Sequence, residues 1–237
     1  MQFLILIAFF LPSLSAEQNG IIFTRNGEEI HGKILKLDTL SVSIKRLDNL
    51  ETTFSWESLV SIKFIRTFGP EWKSKEEITD SILEPIIEKY LGKKLKINAG
   101  AYILYDEKDW ILNEDTSFIF EHRRIVRINT EEGADNENSR FYYYFPDNSK
   151  IEILFARVIS PDGTITNLTE NSVEYSSPFG YTSQYDRIKR LKFSFGGLSP
   201  GSIMDFKVRI AKSKSSIFEP FAACETLLEK YPILKKV

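Results

Sequence analysis

The sequence predicts a mainly β chain in which a small five-stranded barrel and a linking helix precede an antiparallel β-sandwich. Three observations carry this. Aromatic residues run high, with 18 Phe and 10 Tyr, and such side chains favour strands over helices. Short alternating runs recur between tight-turn signals such as Asn26-Gly27 and Pro161-Asp162-Gly163, with no strand–helix–strand rhythm. Residues 151–168 read as two strands around the turn Ser160-Pro161-Asp162-Gly163. The first of them is apolar on both faces, with Ile151, Ile153, Phe155 and Ile159 on one side and Leu154, Ala156 and Val158 on the other. A strand of that kind lies between two layers.

Composition narrows the functional classes. At 237 residues the chain fits one large domain or two smaller ones. With 31 basic against 33 acidic side chains, no nucleic-acid partner is expected. Cys224 is the single cysteine, so no internal disulfide can form.

Residues 1–16 differ from everything after them. Residues 3–14 are apolar apart from Pro12 and Ser13, and Ala16 offers a small residue for cleavage before Glu17. This is the pattern of a secretory signal, with an uncleaved anchor or a buried strand as the alternatives. The run is short for a bilayer span. The expected mature chain is exported to a periplasmic or extracellular setting, with no stable membrane span.

Residues 17–66 hold five short strands, at 20–24, 29–37, 41–46, 52–56 and 59–64. Five such strands cannot bury a core as an open sheet, and closure into a barrel resolves this. Residues 67–97 form a helical linker. Ser74 and Glu77 suit a capping box, and Ile78, Ile82, Ile86 and Tyr90 share one face. Pro85 should kink or split the helix near Leu83-Glu84, and Gly92 ends it. Packing against the following sheet is expected, with a membrane-surface helix as the alternative.

Residues 98–237 are read as the sandwich. Strands are expected at 101–105, 117–129, 140–145, 151–159, 190–195 and 203–210, with an acidic loop at 131–138 and a polar loop at 169–186. That second loop carries Tyr175, Phe179, Tyr181 and Tyr185, candidate contacts for a partner because aromatics give much area for little entropy. The alternative is that they cover their own sheet.

Chemistry is hard to place. A nucleophilic cysteine needs an imidazole base close by, yet His31 and His122 lie far upstream of Cys224. Two His and one Cys on three elements lack zinc spacing, and no phosphate loop, dinucleotide glycine set or nucleophile elbow appears. His122, Arg123 and Arg124 are expected as solvated strand residues pairing with Glu121 or Glu152, or as a basic ridge. No catalytic, cofactor-binding or metal-binding residue is assigned. Asn167-Leu168-Thr169 fits a glycosylation sequon by pattern alone.

Two resemblances follow from motifs in order. The run NGEEIHGKI at 26–34 followed by FSWESLVSIKF at 54–64 resembles SH3-like or Sm-like small barrels. The order AYILYDE (101–107), HRRIVRINTEEG (122–133), ARVISPDGTI (156–165), GGLSPGSIMDFKV (196–208) and Tyr231-Pro232 resembles an uncharacterised β-domain that precedes transglutaminase-like, papain-fold domains in exported bacterial proteins. That resemblance implies a bacterial envelope setting, further strands after Tyr231-Pro232, and a downstream catalytic domain with a Cys-His-Asp set. The sequence ends at Val237, so the sandwich is expected to be an N-terminal portion, whether of a fragment or of a frameshifted product. The expected function is a non-catalytic module that binds or positions an envelope protein, peptide or glycan. The alternative is the N-terminal part of a transglutaminase-like cysteine enzyme.

Overall fold

A computed structural model of the chain describes residues 18–46, 48–93, 99–178, 187–213 and 230–236. The described residues are mainly β, arranged in three sheets whose strand ladders are all antiparallel. They fall into two units, Met1–Arg66 and Thr67–Val237. No described helix is long and apolar enough to cross a membrane.

In the first unit, β1 (Gln18–Thr24), β2 (Glu29–Leu37), β3 (Ser41–Arg46), β4 (Glu51–Ser55) and β5 (Leu59–Phe64) lie in the order β4-β3-β2-β1-β5. Alternation sends Ile22, Ile30, Ile34, Val42, Ile44 and Leu59 into one core. The Asn26-Gly27 turn forms as expected, with Gly27 at φ +86°. At Gly32 the backbone of β3 comes so close that a Cβ would stand 2.2 Å from the Lys45 carbonyl oxygen. Only glycine admits that approach. A single 3-10 turn, Trp56–Ser58, links β4 to β5.

The second unit has three layers. After a 3-10 turn at Lys75–Glu77 and helix α1 (Leu83–Tyr90), the chain forms β6 (Ala101–Leu112), β7 (Phe118–Ile128), α2 (Glu131–Glu137), β8 (Ser139–Tyr144) and β9 (Ser149–Ile159). It then forms β10 (Ile165–Asn167), β11 (Val173–Ser176), β12 (Lys189–Ser194) and β13 (Ile203–Lys212). One sheet runs β10-β9-β13-β7-β6 and the other β11-β12-β8. The first core lies between these sheets, where Ile103, Val126, Val158 and Phe206 meet Leu191 and Phe193. The second lies on the opposite face of the five-stranded sheet, where Tyr102, Ile125, Ile159 and Ile203 meet Ile78, Leu83 and Ile87. A two-faced apolar strand was the expectation for 151–159, and two layers do cover it.

Two β-bulges decide which side chains face which core. Ile153 pairs with Val208 and Phe155 with Lys207, so Leu154 is an extra residue in β9. The alternation inverts there. Ile151 and Ile153 therefore share the inter-sheet core with Ala156 and Val158, whereas simple alternation put them on opposite faces. In β6, Ile103 pairs with Val126 and Tyr105 with Ile125, so Leu104 and Tyr105 both face the second core and Asp106 turns to the first.

Other expectations are corrected. The strand expected at 101–105 runs to Leu112. The acidic loop at 131–138 is helix α2, capped by the Thr130 side chain accepting from Gly133 N at 3.0 Å. The polar stretch after Leu168 contains β11. Ser74 does not cap with its side chain. Asp80 does the capping, accepting from Ile82 N at 2.9 Å and Leu83 N at 3.0 Å. Pro85 then falls in the first turn of α1 as its third residue, where proline is tolerated. Gly92 ends the helix at φ +65°. Residues 231–236 add to β6 in parallel, bridging Ile103 to Ile233 and Asp106 to Lys236.

Candidate functional site

His122, Arg123 and Arg124 are not a solvated ridge. Alternation along β7 splits them between the two buried faces of the sheet. His122 and Arg124 enter the inter-sheet space with Val126, and the β6 bulge delivers Asp106 to them. The His122 Nε2 lies 2.8 Å from Asp106 Oδ1, and Arg124 reaches both Asp106 oxygens from Nε and Nη2 at 2.7 and 3.0 Å. Across the gap, the Tyr142 hydroxyl of β8 lies 2.7 Å from His122 Nδ1. Burial pushes the Asp106 carboxyl up, but hydrogen bonds from His122 and Arg124 outweigh it and hold the group well below its usual range. An ionised Asp106 only accepts, so Nε2 carries the imidazole proton and Nδ1 accepts from Tyr142.

Tyrosine, imidazole and carboxylate in series, beside a cavity of about 240 Å³ lined by Arg124, Arg140 and Phe206, have the outline of a proton relay. The electrostatics oppose that use. Burial pushes the Tyr142 hydroxyl far above its ordinary value and, outweighing Asp106, holds His122 below 6.5. Both shifts make transfer from tyrosine to imidazole harder. The series works as a clasp between the two sheets.

On the opposite face a second buried network holds the segment that carries α1. Asp205, fully buried, accepts from Arg123 Nε at 3.2 Å and Nη2 at 3.3 Å, and from Arg157 Nε and Nη2 at 3.0 Å. Arg123 also reaches Asp80 at 2.9 Å. The β9 bulge turns Arg157 onto this face, where its guanidinium lies 4.3 Å from the Trp72 ring centroid and 4.4 Å from that of Phe155. Arg127 donates to the Tyr90 carbonyl at 2.8 Å and to the Lys93 carbonyl, compensating the C-terminal end of α1.

The surface that differs from these interior networks is the outer face of the three-stranded sheet. Alternation along β8 sends Tyr142 inward and exposes Phe141 (58%) and Tyr143 (47%), whose rings meet edge to face at 5.5 Å. Phe145 is also exposed just past the strand. Opposite Phe141 on β12 stands Lys192, and opposite Tyr143 stands Arg190. The Arg190 guanidinium donates to Ser176 Oγ from Nε and Nη2, at 3.3 and 3.1 Å, with Glu174 at 3.6 Å.

Of the residues the sequence offered as partner contacts, Tyr175 is exposed on β11. Phe179, Tyr181 and Tyr185 lie outside the described residues, as do Ala16, Glu17 and Cys224. His31 is exposed, 2.8 Å from Glu29. Asn167 of the sequon is half-buried: its side chain donates to the Trp72 carbonyl at 3.4 Å and its Oδ1 is buried. Among the described residues no group of three His, Cys, Asp or Glu is placed to hold a metal ion.

A family model described as "Domain of Unknown Function with solved-structure structure (DUF3857)" matches residues 114–233. The chain belongs to the DUF3857 family. The match takes in β7 through β13 and thus both sheets of the sandwich. No curated protein matches the chain. Among solved structures, a candidate protease from Parabacteroides distasonis is 20% identical with a TM-score of 0.48, over 49% of this chain and 24% of that one. This DUF3857 chain thus spans about a quarter of that protein's length. A CBM3a-L domain from the scaffoldin cipA of the Clostridium thermocellum cellulosome is 17% identical with a TM-score of 0.28, over 49% of this chain and 69% of that one. A family 3a carbohydrate binding module from the same scaffolding is 18% identical with a TM-score of 0.26, over 47% and 75%.

Proposed function

We propose that this DUF3857 protein is an exported, non-catalytic module that binds an envelope partner through the outer face of its three-stranded sheet. The observation behind this is the exposure of Phe141 and Tyr143 on alternate positions of a well-formed strand. Apolar rings side by side in water lose free energy that a partner's surface would recover. Inside, by contrast, Asp106, His122 and Tyr142 are bonded to one another, as are Asp205, Arg123 and Arg157.

The test is retention. Envelope extract, separated into protein and carbohydrate fractions, is passed over immobilised full chain and over a Phe141→Ser/Tyr143→Ser variant with an unchanged unfolding midpoint. A component held by the first and released by the second supports the reading. Equal retention by both, or by neither, refutes it. Export predicts a mature N-terminus at Glu17, read by N-terminal sequencing.

The strand order β4-β3-β2-β1-β5, with a 3-10 turn before the last strand, supports an SH3-like barrel for the first unit. The ordered motifs from Ala101 to Pro232 support association with a transglutaminase-like domain. Reading the gene past the Val237 codon tests the latter, since a Cys-His-Asp set must appear there.

A further inference from the structure

We infer that the outer face of the three-stranded sheet takes an acidic polysaccharide, its sugar rings lying on the aromatic row and its carboxylates meeting the cationic row beside it. This rests on the binding-module reading above and names its ligand.

Phe141 and Tyr143 are two residues apart on β8, so their backbone positions repeat along the strand at about 7 Å while their rings meet edge to face at 5.5 Å, and Phe145 follows just past the strand end. Across the ladder each faces a cation, Lys192 opposite Phe141 and Arg190 opposite Tyr143. The face thus carries an apolar row and a parallel charged row, each repeating at the same interval. Glu174 stands opposite Lys192 on β11, leaving two cations to one carboxylate. Ser176 fixes the Arg190 guanidinium through two hydrogen bonds, so little side-chain freedom remains to be lost on binding.

A linear ligand with a flat apolar side and a regularly spaced negative charge matches both rows. Sugar rings supply the first, because their C–H bonds lie well against the negative face of an aromatic ring. Uronic-acid carboxylates supply the second, meeting the Lys192 ammonium and the charge of Arg190, whose Nε and Nη2 stay on Ser176. An acidic peptide fits less well. It gains most of its affinity on a sheet by adding as a strand at an edge, which here means β11 or β8, and such a strand would leave the outward side chains of the face itself unused. A neutral glycan would leave the cations unused. Nucleic acid, with its dense phosphate charge, calls for a larger basic surface than two side chains.

The experiment is affinity electrophoresis of the full chain through gels containing polygalacturonate, neutral dextran, polyglutamate or single-stranded poly(dT). Polygalacturonate is expected to retard the protein most. Its effect should shrink as salt rises from about 0.1 M to about 1 M, where the screening length contracts from about 10 Å to about 3 Å. Phe141→Ser is expected to weaken retardation about tenfold, equivalent to about 1.4 kcal/mol. Arg190→Gln/Lys192→Gln should erase the preference over dextran. Circular dichroism and unfolding midpoints of both variants must match the parent.

Equal retardation by dextran and polygalacturonate, or no effect of removing the two cations, overturns the acidic ligand. Retardation by polyglutamate alone or poly(dT) alone overturns it in favour of a peptide or nucleic acid. If no polymer retards the chain while the envelope component is still retained by the aromatic face, the polysaccharide is wrong and the module reading survives. Loss of both removes both.

Discussion

Replacing Asp205 by Asn leaves the shape of the site almost unchanged and takes one negative charge from between two guanidinium groups. Asp205 is fully buried, Arg157 is 1% exposed and Arg123 5%. Asp80 partly compensates Arg123 at 2.9 Å, whereas Arg157 is left with the faces of Trp72 and Phe155. Breaking a buried ion pair by removing one member costs about 3–5 kcal/mol, because the stranded charge cannot be rehydrated. A loss of about 4 kcal/mol is therefore expected for Asp205→Asn. With a urea dependence of about 2 kcal/mol per molar for a unit of this size, the midpoint should fall by about 2 M. Asp147→Asn is the control. Asp147 and its partner Arg187 are both exposed, 3.0 Å apart, and such pairs contribute less than about 1 kcal/mol. A second variant separates charge from packing: Asp205→Leu with Arg157→Met removes the pair together and should recover much of the loss. If Asp205→Asn costs less than about 1 kcal/mol by urea unfolding, water or local rearrangement reaches Arg157 and the account of a sealed network is wrong.

Acid should destabilise the chain in two stages. The native fold holds His122 below 6.5, so beneath that pH the unfolded chain binds one proton more and stability falls as pH drops. Asp106 is also held low, so its contribution is present above the ordinary carboxylate range and is lost as pH falls through and below it. In unfolding free energy against pH, His122→Gln should flatten the slope between pH 7 and 5 while leaving the loss below pH 4; an unchanged slope would show that His122 is not the titrating group. Gly133→Ala offers a different test, because alanine ordinarily stabilises a helix interior by about 1 kcal/mol over glycine. Here the added Cβ would stand 1.8 Å from the Gly100 carbonyl oxygen, so a net loss of about 1–3 kcal/mol is expected by thermal or urea unfolding, and any gain refutes the close approach.

Much of the fold was legible because hairpin chemistry and alternation are local. The five strands of the first unit follow from runs bounded by Asn26-Gly27 and Asp48-Asn49, and the Pro161-Asp162-Gly163 turn closes as its residues dictate, with Gly163 N donating to the Ser160 carbonyl at 2.8 Å and Gly163 at φ +92°. Helix α2 was also locally encoded, by Thr130 ahead of Glu131 and Glu132, but its polarity resembled a loop. His122 and Arg124 already shared a face with Val126 and Ile128 by simple alternation, the signal that they point inward. Their charge masked it, since isolated charges are rarely buried.

By itself the sequence determined the β class, the turns, the two-sided burial of 151–159 and the end of α1 at Gly92. Only the tertiary structure decided what the charged residues do. An extra residue at Leu104 or Leu154 is invisible in a period-two pattern, because either side of it alternates normally, and it is the partner strand that forces one residue out of register. Those two bulges aim Asp106 at His122 and Arg157 at Asp205, pairing residues 16 and 48 positions apart. The outer aromatic face has the same origin: Phe141 and Tyr143 alternate in the sequence, but pairing β8 with β12 is what sets Lys192 and Arg190 opposite them.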